Sequence, residues 1–213
     1  MNHILRTLAL IVGTLAGVAA SHAQDAALYD PAPPPNSAFV RFIDARGQGN
    51  LQVGIGEKSV TVPANGVSAY VVVPAGEQDL NLSTQSGKVA VAAGKYYTVA
   101  LFLDGATTPT LIEDPVLDNP AKSGVYLYNF SDIEAIKLYA PKPKVAVIDN
   151  VGKGTSGFKV VNAVTVDFDV MAGDKAVTNL GSTTLKRRSS TSVVVTGKGD
   201  QAKAIILENT TQP

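Results

Sequence analysis

Asp167 and Asp169 are the first residues in this chain whose types and spacing suggest chemistry. They stand two apart in Thr165-Val166-Asp167-Phe168-Asp169-Val170. On an extended strand both carboxylates then project from one face, roughly 6–7 Å apart. That separation overlaps the spacing of an inverting glycosidase pair. A solvated strand face has the same appearance, and nothing nearby marks either acid as buried and raised in pKa, so the pair is read as a wet face. The serines fare no better, because a nucleophilic serine needs a base to take its proton. The two histidines, His3 and His22, both fall in the first 23 residues, and the chain has no cysteine or tryptophan. Ser123 follows Lys122, but neighbours on a strand point to opposite faces, so a Ser-Lys centre is not built there. Asp114 and Asp118 are the remaining oxygen donors of note. Carboxylates alone would suit calcium or magnesium, but ordinary linker charges explain them better. No catalytic, cofactor-binding or metal site is expected.

The histidines drop out because residues 1–23 read as a cleaved signal peptide. His3 and Arg6 precede an apolar run from Leu8 to Ala20, and Ser21-His22-Ala23 places small residues at the cleavage site. The run is short of the roughly 20 residues a membrane span needs. The mature chain is expected to start at Gln24, without a transmembrane segment, and to be exported to the periplasm. The full chain carries 18 basic and 18 acidic residues. Losing Arg6 leaves the balance near neutral, which argues against a dedicated nucleic-acid binder. With no disulfide to staple it, the fold must rest on buried Val, Leu, Ile and Ala.

The elements that would position any site are strands. Val166, Phe168 and Val170 alternate with Thr165, Asp167 and Asp169, and Asp79 to Ser83 alternates likewise. That period of two marks strands with one buried and one wet face. Tyr70-Val71-Val72-Val73 and Ser192-Val193-Val194-Val195 suit interior sandwich strands, and Gly-containing turns recur between such runs. No stretch carries a convincing helical period. Asp30 to Pro35 is a proline-rich spacer, and Glu113 to Pro120 interrupts the strand patterns a second time.

The halves on either side of that second break resemble copies. Phe39-Val40-Arg41 aligns with Val125-Tyr126-Leu127, and Leu80-Asn81-Leu82 with Val166-Asp167-Phe168 at the same offset. Ser86-Gly87-Lys88-Val89 then meets Gly173-Asp174-Lys175-Ala176, and Tyr97-Thr98-Val99 meets Ser192-Val193-Val194. The expected architecture is all-β: two tandem antiparallel β-sandwich domains of seven to eight strands each. The expected divisions are 1–23 signal peptide, 24–36 extended proline-rich segment, 37–113 first sandwich, 114–122 linker and 123–213 second sandwich.

Lys186-Arg187-Arg188 is the densest basic cluster, with Lys142 and Lys144 a smaller one. Either can meet an acidic partner or an anionic polymer, although solvated loop charge is the commoner role. Tyr126 and Tyr128 share one strand face. A sugar-stacking platform and core packing both fit that face, and without tryptophan core packing is preferred.

Ala23-Gln24-Asp25-Ala26-Ala27-Leu28-Tyr29, a proline-rich segment and then Ser37-Ala38-Phe39-Val40-Arg41 resemble the mature N-terminus of the AlgF family of alginate biosynthesis proteins. Pro74-Ala75-Gly76, Tyr96-Tyr97-Thr98, Glu113-Asp114-Pro115, Val177-Thr178-x-Leu180 and Val195-Thr196-Gly197 continue the resemblance along the chain. It implies two tandem sandwiches similar to carbohydrate-binding modules but without their aromatic platforms. It also implies a periplasmic role in O-acetylation of a secreted polysaccharide, beside a membrane-bound subunit that carries acyl groups across and periplasmic acetyltransferases that hold the Ser-His-Asp machinery. The resulting expectation is a non-catalytic adaptor for alginate O-acetylation. In that role Tyr29 would belong to a docking peptide, and Lys186, Arg187 and Arg188 would form an electrostatic partner contact. The rival is a module that binds alginate or acetylated cellulose and presents it to the enzymes.

Overall fold

Among the described residues, sixteen of the seventeen strands fall into two sets of eight, and each set repeats the other. The computed structural model describes residues 32–83 and 86–212. The first set is β1 (Ser37–Asp44), β2 (Leu51–Ile55), β3 (Lys58–Val62), β4 (Tyr70–Pro74), β5 (Gly76–Asn81), β6 (Ser86–Val91), β7 (Tyr96–Leu101) and β8 (Thr110–Asp114). The second is β9 (Lys122–Ser131), β10 (Ala135–Ala140), β11 (Val145–Gly152), β12 (Ser156–Asn162), β13 (Thr165–Ala172), β14 (Lys175–Thr184), β15 (Ser190–Gly197) and β16 (Lys203–Glu208). A short β17 (Thr211–Gln212) closes the chain. Among the described residues, helical geometry is confined to single 3-10 turns at Leu103–Gly105 and Gly199–Gln201.

Four sheets result. In the first set β4-β1-β7-β8 lie side by side, with β17 added outside β4, and β3-β2-β5-β6 form the facing sheet. The second set gives β12-β9-β15-β16 and β11-β10-β13-β14, which is the same order with every strand eight positions later. The all-β, duplicated-sandwich architecture is therefore observed. Outside the two sets β17 runs parallel to β4; within each set one pair departs from antiparallel pairing, β1 running parallel to β7 and β9 to β15. In both, the chain crosses to the other sheet and returns before it meets its partner, and this crossing permits parallel pairing.

The cores explain why these strands read as they do. Val40, Phe42, Val53, Leu80 and Val99 fill the first sandwich, and Val125, Leu127, Leu138, Phe168 and Val193 fill the second. A third cluster, including Ile43, Ala100, Tyr126, Tyr128, Phe130 and Val194, lies where the β4-β1-β7-β8 sheet meets the β12-β9-β15-β16 sheet. Those two sheets are thus covered on both faces, one by their own sandwich and one by the other, and residues 33–213 form one compact unit. We call the contact between them the seam. Strands covered on both faces are buried along their length rather than on alternate residues, as β9 and β15 are.

The duplication is real, but the residue-by-residue alignment read from the sequence needs correction. Val125 faces its sandwich core, whereas Phe39 belongs to the seam side of β1 with Arg41 and Ile43. Tyr97 lies in a core and Ser192 in the seam. Both matches are one residue out of phase. The match of Leu80 with Val166 keeps core face on core face.

Candidate functional site

An arginine in the middle of β1 is the least expected occupant of the seam. The pleat that sends Val40 and Phe42 into the first core sends Arg41 the other way, and there it is 1% exposed. Its Nε donates to Thr98 Oγ1 at 2.9 Å and its Nη1 to Asn209 Oδ1 at 3.0 Å. Its Nη2 donates to Tyr128 OH at 2.7 Å and Ser192 Oγ at 2.9 Å. Three of these partners belong to the second sandwich or its C-terminal extension. The guanidinium also lies 4.6 Å from the Tyr70 ring centroid and 5.0 Å from that of Tyr128. A planar fork of donors between two ring faces is an arrangement arginine satisfies and lysine does not.

The balancing charge is Asp114, the last residue of β8, which is also 1% exposed. It does not touch the guanidinium directly. Its Oδ2 accepts from Thr98 Oγ1 at 2.6 Å and Tyr70 OH at 2.8 Å, and its Oδ1 accepts from Tyr128 OH at 2.5 Å. Thr98 and Tyr128 therefore each accept from the cation and donate to the anion, linking two buried charges through oriented hydroxyls. The Asp114 oxygens are taken up by protein hydroxyls, which leaves no carboxylate face for a calcium cage. Buried charge is tolerated only when satisfied in this way. Burial alone would lower the Arg41 pKa, but Tyr128, Tyr70 and Asp114 hold it above its ordinary value.

Burial, opposed by Arg41, also raises the Tyr70 and Tyr128 phenols far above the usual range, and burial pushes Tyr126 up to about 12. Unfolded tyrosine ionises near pH ~10. The sign follows: these phenols contribute stability in full below pH ~10 and lose it as pH rises toward the folded value. The urea midpoint should therefore fall steadily between pH ~9.5 and ~11.5. A flat midpoint over that range would contradict neutral, buried phenols.

At one end the seam opens into a cleft of about 450 Å³, where β7, β9 and β15 begin and β8 and β16 end. Tyr96 and Tyr126 form part of its wall, Val116 and Leu117 supply apolar surface, and Asp118 and Arg188 stand among its polar residues. The Tyr96 ring is stacked on Phe39 at 4.3 Å, so one of its faces is already used. Tyr126 is 5% exposed and donates its hydroxyl to the Pro115 carbonyl. Core packing, the role preferred from sequence for Tyr126 and Tyr128, is the observed one. At the other end Lys153 pairs with Asp104 at 2.8 Å, and Lys203 donates to the Gly47 carbonyl at 3.0 Å.

Of the residues singled out as partner contacts, Lys186, Arg187 and Arg188 form the exposed turn from β14 to β15. They are not equivalent. Lys186 is paired with Glu208 at 2.6 Å. Arg188 lines the cleft, and its backbone sits at φ 58°, a left-handed conformation normally left to glycine or asparagine. Tyr29 and the leader lie outside the described residues. Asp167 and Asp169 occupy the outer face of β13, where Asp169 accepts from Asn179 at 2.6 Å. Sequence reasoning missed the Arg41, Thr98, Asp114 and Tyr128 group. The available signals were an arginine inside an otherwise apolar strand and a tyrosine pair on one strand face.

Comparison with known proteins places this geometry in context. A family model described as "Alginate O-acetyl transferase AlgF" matches residues 9–192. The alginate biosynthesis protein AlgF of Pseudomonas fluorescens is 31% identical over 205 residues, covering 96% of this chain and 93% of the relative. Its Pseudomonas aeruginosa counterpart is 33% identical over 186 residues, covering 86% and 84%. The solved C-terminal domain of AlgF from P. aeruginosa shares 27% identity with a TM-score of 0.39, covering 42% of this chain and 99% of that domain.

Proposed function

The chain belongs to the AlgF family, and on that premise we propose that it is a non-catalytic periplasmic adaptor in alginate O-acetylation. It docks acetyltransferase subunits, both periplasmic and membrane-bound, instead of transferring acetyl groups itself. In this reading residues 37–113 and 123–213 are duplicated domains joined by 114–122, and the predicted leader sends the chain to the periplasm. Among the described residues no helix is long and apolar enough to cross a membrane.

The observation that carries the reading is the filled seam. Two sandwiches tied together by a buried, hydrogen-bonded charge network make a stiff body, suited to holding partners at a set separation. The family's name refers to acetyl transfer, yet transfer through a serine needs a base. The sequence supplies imidazole at His3 and His22 only, inside the predicted leader. The catalytic base then belongs to a partner.

The test is co-purification. The protein should retain an acetyltransferase subunit in a stringent pull-down and should leave an acetyl-ester substrate unhydrolysed when alone. Failure to retain any such subunit sinks the adaptor reading, and turnover by the isolated protein sinks its non-catalytic half. Titration with alginate oligosaccharides separates the rival module: binding that persists near physiological salt would favour presentation of the polymer.

A further inference from the structure

We propose that the open end of the seam is a docking surface for an extended, acidic segment of a partner protein that carries an apolar anchor; this deepens the adaptor reading and rests on it. The pleat of β9 puts Lys122 on the same face as Tyr126, and the Arg188 amide donates to the Lys122 carbonyl at 3.0 Å. Arg188 thus stands in the cleft wall with Arg187 next to it in the turn, and the start of β9 brings Lys122 to the same end of the sheet. Among the described residues none of the three has a carboxylate within ion-pair distance. Lys122 instead donates to Asn162 Oδ1 at 2.5 Å, which holds its amine over the end of β12. Of the two acids in the cleft lining, Glu208 is paired with Lys186, which leaves Asp118 to oppose the cations. The balance at this end is positive on a chain that is neutral overall.

The same end exposes aliphatic surface. Val116 is 52% exposed on the linker and Val160 is 36% exposed on β12, opposite Gly124 and on the side of the sheet that carries Phe158. A sugar ring stacks its C–H face on an open aromatic ring, and the three tyrosines of the cleft offer none: Tyr70 and Tyr126 are buried, and Tyr96 is stacked on Phe39. Cations beside aliphatic groups and a cleft fit a peptide with carboxylates flanking an apolar side chain. The left-handed backbone of Arg188 points the same way, since a turn needing only that conformation is better served by glycine.

The experiment uses the full-length mature protein and the acetyltransferase subunit it retains. Reversing two charges, as Arg188→Glu with Lys122→Glu, should weaken that complex at least tenfold. It should also flatten its salt dependence, because unpaired surface charges act through screened, long-range attraction. The Arg187→Glu/Arg188→Glu pair leaves the Lys122–Asn162 contact intact and should give the same loss with an unchanged melting temperature. Wild-type binding that both variants match would overturn the surface assignment and leave the adaptor reading standing. Wild-type protein that binds no acetyltransferase overturns the adaptor reading itself. If alginate oligosaccharides bind and the charge reversals abolish that binding while the acetyltransferase complex survives, the surface reads polymer and the proposal fails.

Discussion

Arg41→Met should cost about 3–5 kcal/mol of stability, the range seen when one partner of a buried charge pair is removed. The substitution keeps most of the side-chain volume, so the loss isolates the charge. It leaves the Asp114 carboxylate buried without a compensating cation, removes the guanidinium donor to Ser192 Oγ, and leaves Asn209 Oδ1 with the Ser192 hydroxyl as its remaining donor. For a chain of this size that corresponds to a fall in melting temperature on the order of 10 °C. A double-mutant cycle with Asp114→Asn sharpens the test. Arg41 and Asp114 interact through the Thr98 and Tyr128 hydroxyls and not by direct contact. If the relay couples them, the double variant loses less than the sum of the singles by more than about 1 kcal/mol. Additive losses would show two independent buried charges and dissolve the idea of a shared network.

How much of this was readable depended on how many faces of a strand are wet. In β13, Phe168 and Val170 are buried while Thr165 is exposed, so its alternation displayed both the strand and its inward face. The duplication also showed through, because similar strand and turn patterns recur in the same order in both halves. The strands that build the seam gave no such phase. From Ser123 to Ser131 every residue of β9 is buried, and β1 is nearly as covered. With apolar side chains on both faces, a shift of one residue leaves the pattern unchanged. Phe39 could therefore be laid on Val125 although one faces the seam and the other a core. Strand direction was equally hidden, since hydrophobic pattern carries no sign for parallel or antiparallel pairing. Arg41 was invisible as a site for a related reason. Its partners lie far along the chain at Thr98, Tyr128, Ser192 and Asn209, and only the stacking of one sandwich on the other brings them together. The basic turn at Lys186–Arg188 was found because exposed charge clusters are local features; that Lys186 is already paired required the position of Glu208.

Ending the chain at Glu208 should have the second-largest effect, about 2.5–4 kcal/mol. The residues removed run from the second sandwich back onto the first. The Asn209 side chain accepts from Arg41 and from Ser192, the Thr210 carbonyl accepts from the Tyr70 amide at 2.8 Å, and Thr211 and Gln212 pair with Tyr70 and Val71 in parallel register. One charge-assisted hydrogen bond contributes about 1.5–3 kcal/mol and an ordinary one about 1, and the two add to the stated range. Asn209→Ala separates the parts, since it deletes the side-chain acceptor and keeps the backbone strap. It should account for more than half of the truncation's loss by urea denaturation. The truncated protein should differ in a second respect: with β17 gone, β4 becomes a bare sheet edge, and bare edges recruit strands from other molecules. Sedimentation should then detect concentration-dependent association in the truncated chain but not in Asn209→Ala. If Asn209→Ala reproduces the whole stability loss and the truncated chain stays monomeric, the strap is a side-chain anchor alone. If both differences appear, the C-terminal strand holds the sandwiches together and also seals the edge beside the seam.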